Sequence, residues 1–455
     1  MIGAVLISVM IATLIIQALI PARKMLVIFS GATVTMTIAA TLGNQSILNI
    51  YSGVPWDVLV ILLGLGIFSS LFARSRLFSS LAVWCSRGSQ GKYLLLLIMF
   101  SSIMFILSCT LNNLTALLLV LPVLLSILKA LGATQGFIAL CFSMLIVACN
   151  LGGAATPIGD FPAILLMGTG SISFVRYLIL AFPMCILLFS ALLVLSAVYY
   201  TRKGKEDAAP LERSLALISM AKLYRNFTID KTILYPGVGV FCIMFGLWII
   251  AGRIGLSPGV ICFLGVGLLM VIKNEEAEDI VRRRIDFESI LFLTALFLMV
   301  SCMAASGILD YIAGLMSMYF TDTKILVCAL MICCGISTAI FSAGPSMATM
   351  LPIAQHIILK GDVPGETVYV GLALSVCAGS SFLLTAATAG PLAQSIVEKS
   401  GLTTREGRSA KFDFMTFFFV IRDLCLRHYP GRGIAFCSCK DLNRHTWKYR
   451  FWSLK

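Results

Sequence analysis

Two polar stretches interrupt apolar sequence and carry side chains that could hold an ion. The first contains Asn112, Asn113 and Thr115, and an apolar run follows it as far as Pro122. A buried amide without a hydrogen-bond partner costs roughly 1 to 3 kcal/mol, so something must satisfy these groups. Amide oxygens suit a dehydrated cation, and the NH2 groups suit a substrate that accepts hydrogen bonds. Hydrogen bonding between helices is the structural alternative.

The second stretch runs from Asn150 to Pro162 and contains paired glycines and two prolines. Because such residues do not continue a regular helix, we expect the segment to unwind and free its carbonyl groups for a cation. An adjoining helix N-terminus would suit an anion. Asp160 is a candidate for proton or cation coupling, with a solvated position near the interface as the alternative. The candidate ligands here are Asn150, Gly152, Gly153, Thr156, Gly159 and Asp160.

The second half of the chain has two stretches of the same kind, at 342–346 and 379–391. They are rich in small hydroxyl residues, Gly and Pro, and close packing of helices is the simpler interpretation of either one alone. Together with the first half they favour a composite site. The candidate ligands are Ser342, Ser346, Ser380, Ser381, Thr385 and Thr388.

The elements that position these stretches are membrane helices. The 455 residues are 59% apolar and 12% charged, with a mean hydropathy of +0.98, far from the roughly 25% charged residues of soluble domains. A span needs about 20 apolar residues. We predict spans at 2–20, 25–42, 57–73, 92–110, 136–151, 174–199, 233–251, 256–272, 288–306, 324–341 and 366–388. The stretches at 111–131 and 342–360 are predicted to be re-entrant hairpins or discontinuous helices.

Matching features recur about 230 residues apart and predict an internal repeat. Asp57 corresponds to Asp286, and Leu121-Pro122 corresponds to Leu351-Pro352. Counting spans gives the two halves opposite topology, the arrangement that indicates a transporter with its site near the midplane. Chance similarity of apolar sequence is the alternative.

The predicted fold is thus an all-α polytopic membrane protein with two inverted-topology repeats, each with a re-entrant hairpin and a broken helix. The first repeat is residues 1–200 with a hairpin near 108–131, and the second is 233–420 with a hairpin near 342–360. A basic loop, 201–232, lies between them and is predicted to be cytoplasmic. Residues 421–455 are predicted to be a basic tail, either aberrant or disordered, with a genuine tail attracted to anionic lipid as the alternative.

Charge and cysteine content exclude other classes. The net charge of +13 is scattered over short connections and the tail, so we expect a lipid bilayer and not a nucleic acid as the partner. Most cysteines lie in apolar runs, which predicts no disulfide framework. His356 could shuttle protons, although an interfacial position is the commoner case. A zinc site in the tail would match no standard ligand spacing.

The motifs around Asn112-Asn113-Leu114-Thr115 and Asn150 to Asp160 resemble the ion transporter superfamily over about residues 1–420. This group includes arsenite permeases, NhaD-type sodium/proton antiporters, citrate transporters and divalent anion:sodium symporters. The resemblance implies an elevator-type transporter, with Asn112, Asn113 and Thr115 corresponding to a Ser-Asn-Thr signature. Two departures stand out: the second signature lacks its Asn, and Asn112 occupies the place of an antiporter Asp.

These observations predict a secondary active transporter for a small anion, an organic acid or an oxyanion, driven by sodium or protons. A sodium/proton antiporter and a passive anion channel are the alternatives. No enzymatic arrangement lies within the spans, so we expect no enzyme and no cofactor beyond a coupling Na+ or H+. Sodium is expected at Asn113, Asn150 and Gly153. We expect a bacterial inner-membrane location, and a homodimer remains open.

Overall fold

The computed structural model describes residues 2–20, 23–43, 45–202, 210, 213–214, 218, 229–283, 287–320, 322–360, 363–384, 386–387, 389–405 and 407–426. The described part contains α-helices and no β-strand, with one isolated bridge between Thr403 and Ser409. The all-α prediction is confirmed. Thr385, Thr388, Asp286 and the tail beyond 426 lie outside the described residues.

The first half of the chain contains ten helices in the described residues. They are α1 (Ile2–Leu19), α2 (Lys24–Thr41), α3 (Ile47–Ser52), α4 (Trp56–Arg74), α5 (Leu77–Gly88), α6 (Tyr93–Ser108), α7 (Asn113–Ala130), α8 (Gln135–Ala155), α9 (Phe161–Gly168) and α10 (Phe174–Arg202).

The second half contains another ten in the part that the structure describes. They are α11 (Lys231–Ile254), α12 (Pro258–Ile272), α13 (Asn274–Arg283), α14 (Phe287–Ala305), α15 (Ile308–Tyr319), α16 (Thr323–Phe341), α17 (Ala343–Lys360), α18 (Gly365–Phe382), α19 (Gly390–Lys399) and α20 (Phe414–Leu426).

The eleven predicted spans coincide with helices, because long apolar runs satisfy their backbone groups as helices. Among the described residues, α4, α7, α8, α10, α11, α14 and α16 are long and apolar enough to cross a membrane. Three boundaries differ from the prediction. The span predicted at 366–388 ends at Phe382. The stretches predicted to be hairpins or discontinuous helices contain single continuous helices, α7 and α17. The non-helical turns lie before these helices, at 109–112 and at Ser342. Pro122 and Pro352 lie at the same position within α7 and α17 and break neither helix.

Capping residues explain where several helices begin. Asn112 accepts a hydrogen bond from the Leu114 N–H, and Asp160 accepts one from the Phe161 N–H. Asp230, Ser257 and Asp322 cap α11, α12 and α16 in the same way. A side-chain oxygen at this position satisfies a donor that has no partner within the helix, so these polar residues set the helix starts.

The same helix pairings occur in both halves. Helix α6 packs on α8 as α16 packs on α18, α5 packs on α7 as α15 packs on α17, and α1 packs on α2 as α11 packs on α12. Between the halves, α12 packs on α4 and α2 packs on α14. Helix α8 is central, since every residue from Phe137 to Ala155 is buried.

Helices α4 and α14 run in opposite directions. The first turn of α4 contacts the start of α12, with the Ser257 hydroxyl donating to Asp57 Oδ1 at 3.3 Å. Near the end of α14, Ser301 donates to the Ile50 carbonyl of α3 at 2.7 Å, and α3 immediately precedes α4. The end of α14 therefore lies beside the start of α4. This agrees with the predicted inversion at one helix pair; inversion of the complete halves stays a prediction.

Candidate functional site

Four helix ends meet at the site in the first half. Helices α6 and α8 end there with their carbonyl groups, and α7 and α9 begin there with their N–H groups. The unwinding predicted for 150–162 occurs at 156–160 only, because α8 continues through Gly152 and Gly153 to Ala155. Carbonyl ends attract cations and amino ends attract anions, so both kinds of ligand have partial charges to contact.

Asn113 is the most deeply placed amide of the site. Its side chain is 1% exposed, and its Oδ1 accepts a hydrogen bond from the Ser108 hydroxyl. Its Nδ2 is buried and makes no hydrogen bond within the part of the chain that the structure describes. The Asp160 carboxyl group is an interacting neighbour of this amide, but without the geometry of a direct bond. A buried, unpaired donor is costly, which favours a bound ligand.

Ser108 links three helices. Its hydroxyl lies against Asn113 Oδ1 and 2.6 Å from the Cys149 carbonyl oxygen. Because a hydroxyl has one proton to donate, only one of these acceptors is satisfied at a time. The Cys149 thiol lies 3.5 Å from the Asn113 carbonyl oxygen. Small rotations of the Ser108 hydroxyl can therefore redistribute hydrogen bonds at the site.

The glycines of α8 and of the following loop permit close packing at the site. A Cβ atom on Gly153 would lie 2.7 Å from Asn113 Oδ1 and 2.8 Å from Asp160 Cβ. On Gly159 it would lie 2.6 Å from the Gly153 carbonyl oxygen, and on Gly152 it would collide with the Phe105 carbonyl oxygen. Glycine is thus required here because side-chain and backbone atoms of neighbouring segments approach closely. The requirement does not come from a break in the helix.

Asp160 supplies the carboxylate. It is partly exposed, and its Oδ1 accepts a hydrogen bond from the Phe161 N–H at 2.8 Å as it caps α9. The loop before it is anchored by Thr156, whose hydroxyl donates to the Cys109 carbonyl oxygen. The carboxylate is therefore held next to Asn113 and Gly153.

Among the described residues, a hydrogen bond joins this site to the second half of the chain. Asn150, 2% exposed, donates through Nδ2 to the Ser381 hydroxyl at 3.0 Å, and Ser381 in turn donates to the Cys377 carbonyl oxygen at 2.9 Å. Ser380 is also buried. This contact brings the two halves together next to the first-half site, while the composite site stays a prediction.

The turn between α16 and α17 has an unusual backbone. Ser342 has a φ of 76°, in a region that residues other than glycine seldom occupy. Its N–H donates to the Thr338 carbonyl oxygen at 3.0 Å. The Ser346 hydroxyl lies 3.0 Å from that of Ser337. These hydrogen bonds stay within the second half.

Some of the predicted first-half residues lie around the break, and others lie away from it. Asn113, Gly153, Thr156, Gly159 and Asp160 surround the break in the first half, with Gly152 packed beside it. Asn112 is an exposed capping residue and Thr115 is partly exposed.

Sequence reasoning missed Ser108, Cys149 and Tyr177. Tyr177 is fully buried and donates to the Ala154 carbonyl oxygen at 2.9 Å, which steadies the end of α8. All three sit inside apolar runs, where nothing in the local sequence marks them.

His356 does not belong to this group of residues. Its Nδ1 lies 2.9 Å from the Asp310 carboxylate, between α17 and α15. The described residues hold no cluster of three or more His, Cys, Asp or Glu side chains that could bind a metal. The described cysteines are free thiols, and Cys242, Cys328 and Cys333 are exposed.

The fold and the site are those of a multi-pass helical membrane protein with a polar site at helix breaks. The citrate transporter family (CitMHS) matches residues 4–390, and the chain belongs to this family. The predicted membership of the ion transporter group is confirmed, and the family and the names of relatives indicate a membrane transporter rather than an enzyme.

Relatives match over most of the chain. Magnetosome protein MamN of Paramagnetospirillum magneticum is 28% identical over 95% of this chain and 97% of its own length. The uncharacterized transporter Rv2685 of Mycobacterium tuberculosis is 28% identical over 77% of this chain and 80% of its own. The P protein of Sus scrofa is 23% identical over 85% of this chain and 54% of its own.

Proposed function

We propose that the protein is a secondary active transporter that moves a small anion, an organic acid or an oxyanion, and couples this movement to a sodium or proton gradient. The buried Nδ2 of Asn113, unpaired among the described residues and next to the Asp160 carboxylate, carries the proposal. Buried donors are usually satisfied by protein, water or a ligand, so this donor beside a carboxylate supports a bound ligand. The family's description as citrate transporters supports a carboxylate substrate.

In this proposal the coupling cation and the transported anion bind on different sides of the site. The cation or proton binds on the side of Asp160 and the carbonyl ends of α6 and α8. The anion accepts hydrogen bonds from the Asn113 amide and the amino ends of α7 and α9. Each ligand reduces the electrostatic cost of the other, so their binding is coupled. The Asn150 to Ser381 hydrogen bond ties the first-half site to α18. We place the protein in the bacterial inner membrane.

Transport by proteoliposomes tests this function. Vesicles containing the purified protein should accumulate a radiolabelled carboxylate such as citrate under an inward sodium or proton gradient, and an ionophore that collapses the gradient should abolish accumulation. Candidate oxyanions are tested in the same way. Absence of uptake with every anion under both gradients would refute the proposal. Flux that ignores the gradient would indicate a passive anion channel.

A sodium/proton antiporter is the second candidate, and the Asp160 carboxylate is the observation that favours it. An antiporter needs a group that holds either a proton or a cation, and a carboxylate can do both. Asp160→Asn should then abolish sodium-driven proton movement, measured with a pH-sensitive dye inside the vesicles. If proton movement needs an added anion, symport is the better account.

A further inference from the structure

A basic cavity lies at the end of α4 opposite α3. It has a volume of about 670 Å³ and lies between the turn after α4 and the first turn of α11. The lining residues are Arg74, Arg76, Ile229, Asp230, Lys231, Thr232 and Ile233. Three of them are cationic and one is anionic, so the lining has an excess of positive charge.

Backbone contacts fix the shape of this cavity. Ser75 is fully buried, and its carbonyl oxygen accepts a hydrogen bond from the Asp230 N–H at 3.0 Å. The Ser75 hydroxyl donates to the Phe72 carbonyl oxygen at 2.7 Å. Arg76 has a φ of 59°, an uncommon conformation outside glycine. The turn therefore holds its two arginines against the amino end of α11.

Two acidic side chains near the cavity, Asp230 and Asp279, are already engaged within the described part of the chain. The Asp230 carboxylate accepts hydrogen bonds from the Thr232 N–H at 3.0 Å and from the Thr232 hydroxyl at 2.6 Å. Arg74 contacts Asp279 through Nη1 at 3.1 Å. A guanidinium group has five N–H donors, so this single contact leaves Arg74 able to bind a second acceptor.

Phosphate is the group that this lining suits. Guanidinium groups bind phosphate oxygens through paired hydrogen bonds, and a lysine adds a mobile point charge. The volume exceeds what one small ion fills. The cavity also lies at the ends of two apolar helices, α4 and α11, where lipid headgroups would be found in a bilayer.

We propose that this cavity binds a phosphate-bearing ligand through Arg74, Arg76 and Lys231. An anionic phospholipid headgroup and a soluble phosphate share this chemistry. The cavity contains none of the residues of the candidate transport site, so the proposal holds or fails independently of the transported substrate.

Binding to the purified full-length protein tests the proposal. The probes are short-chain phosphatidylglycerol, short-chain phosphatidylcholine and inorganic phosphate, each titrated while the melting temperature is followed, because a ligand of the folded state raises it. The test variant is Arg74→Gln/Arg76→Gln/Lys231→Gln. The control is Lys129→Gln/Lys399→Gln/Lys411→Gln, which removes equal charge away from the cavity.

We expect phosphatidylglycerol to bind the wild type and the control with similar Kd values and the test variant at least about tenfold more weakly, since charge-assisted hydrogen bonds are lost. If inorganic phosphate binds, phosphatidylglycerol does not, and the test variant loses this binding, the ligand is a soluble phosphate. Equal weakening in test and control variants would overturn the proposal, as would failure of both phosphatidylglycerol and inorganic phosphate to bind the wild type. Phosphatidylcholine also carries a phosphate, but its choline cation opposes the positive lining, so it should bind the wild type more weakly than phosphatidylglycerol. If the triple variant does not fold, Lys231→Gln alone must weaken binding in the same direction, because Lys231 is exposed on the first turn of α11.

Discussion

Gly153→Ala should disturb the geometry of the site while the protein remains folded. The added methyl group would lie 2.7 Å from Asn113 Oδ1, 2.8 Å from Asp160 Cβ and 3.1 Å from Asn113 Nδ2. Two of these distances are shorter than carbon atoms tolerate, so the amide and the carboxylate must move apart by several tenths of an ångström. The substitution therefore acts on the two groups that the proposed transport mechanism needs together.

The expected change in stability is small. Overpacking in a filled core costs about 1 to 3 kcal/mol, and replacing glycine by alanine in a helix gains about 1 kcal/mol. The net destabilisation is about 0 to 2 kcal/mol, small beside the roughly 5 to 15 kcal/mol that separates folded from unfolded states. The protein should remain folded, while the initial rate of gradient-driven uptake falls at least about tenfold, equivalent to about 1.4 kcal/mol of lost ligand binding.

Two matched variants make the assay decisive. A Cβ atom on Gly246 meets no atom within 4 Å, so Gly246→Ala should keep full uptake. Gly152→Ala would collide with the backbone of α6 at Phe105 and should lower the melting temperature more than Gly153→Ala does. Uptake by Gly153→Ala at the wild-type rate, with unchanged affinity for the coupling ion, would refute the role assigned to this contact.

Three further substitutions test the site, each measured by proteoliposome uptake and by melting temperature. Asp160→Asn should remove dependence on the coupling gradient while leaving the protein folded; uptake that still follows the gradient would exclude Asp160 as the coupling group. Asn113→Leu should abolish uptake and cost only about 1 kcal/mol of stability, because it removes the Ser108 hydrogen bond to Asn113 Oδ1 together with a buried donor that has no partner among the described residues; a much larger fall in melting temperature would contradict this. Asn150→Ala should cost about 1 kcal/mol and slow transport, since Asn150 donates to Ser381; unchanged transport would show that this link between the halves is dispensable.

The sequence predicts the helices well because their cause is local. Each long apolar run must satisfy its own backbone groups, so the start of α4 at Trp56 and the end of α12 at Ile272 follow from hydropathy and short polar connections. The breaks are harder to predict. Glycines mark either a turn or a close approach, and Gly152 and Gly153 mark close approaches to Phe105 of α6 and to Asn113 of α7, which are distant in the sequence.

The partners of the site residues depend on contacts that no local pattern records. Asn150 and Ser381 are 231 residues apart, yet their side chains are hydrogen bonded. Ser108 binds at the centre of the site, but a serine in an apolar run looks like any small packing residue. Sequence reasoning therefore identified the polar groups that lack an obvious partner and missed the groups that satisfy them.

The two halves differ chemically even where their helices pair alike. In the first half, Asn113 begins α7 and Asp160 precedes α9, which gives the site an amide and a carboxylate. In the second half, the turn that corresponds to the start of α7 and the first turn of α17 have the hydroxyl groups of Ser342 and Ser346. Hydroxyl groups are neutral and hold a dehydrated cation more weakly than a carboxylate does, because the cation must give up its hydration shell for partial charges alone. We therefore expect tight cation binding in the first half, with the second half contributing mainly to the anion. In a proteoliposome titration this predicts one high-affinity cation dependence that Asp160→Asn removes and Ser346→Ala leaves in place.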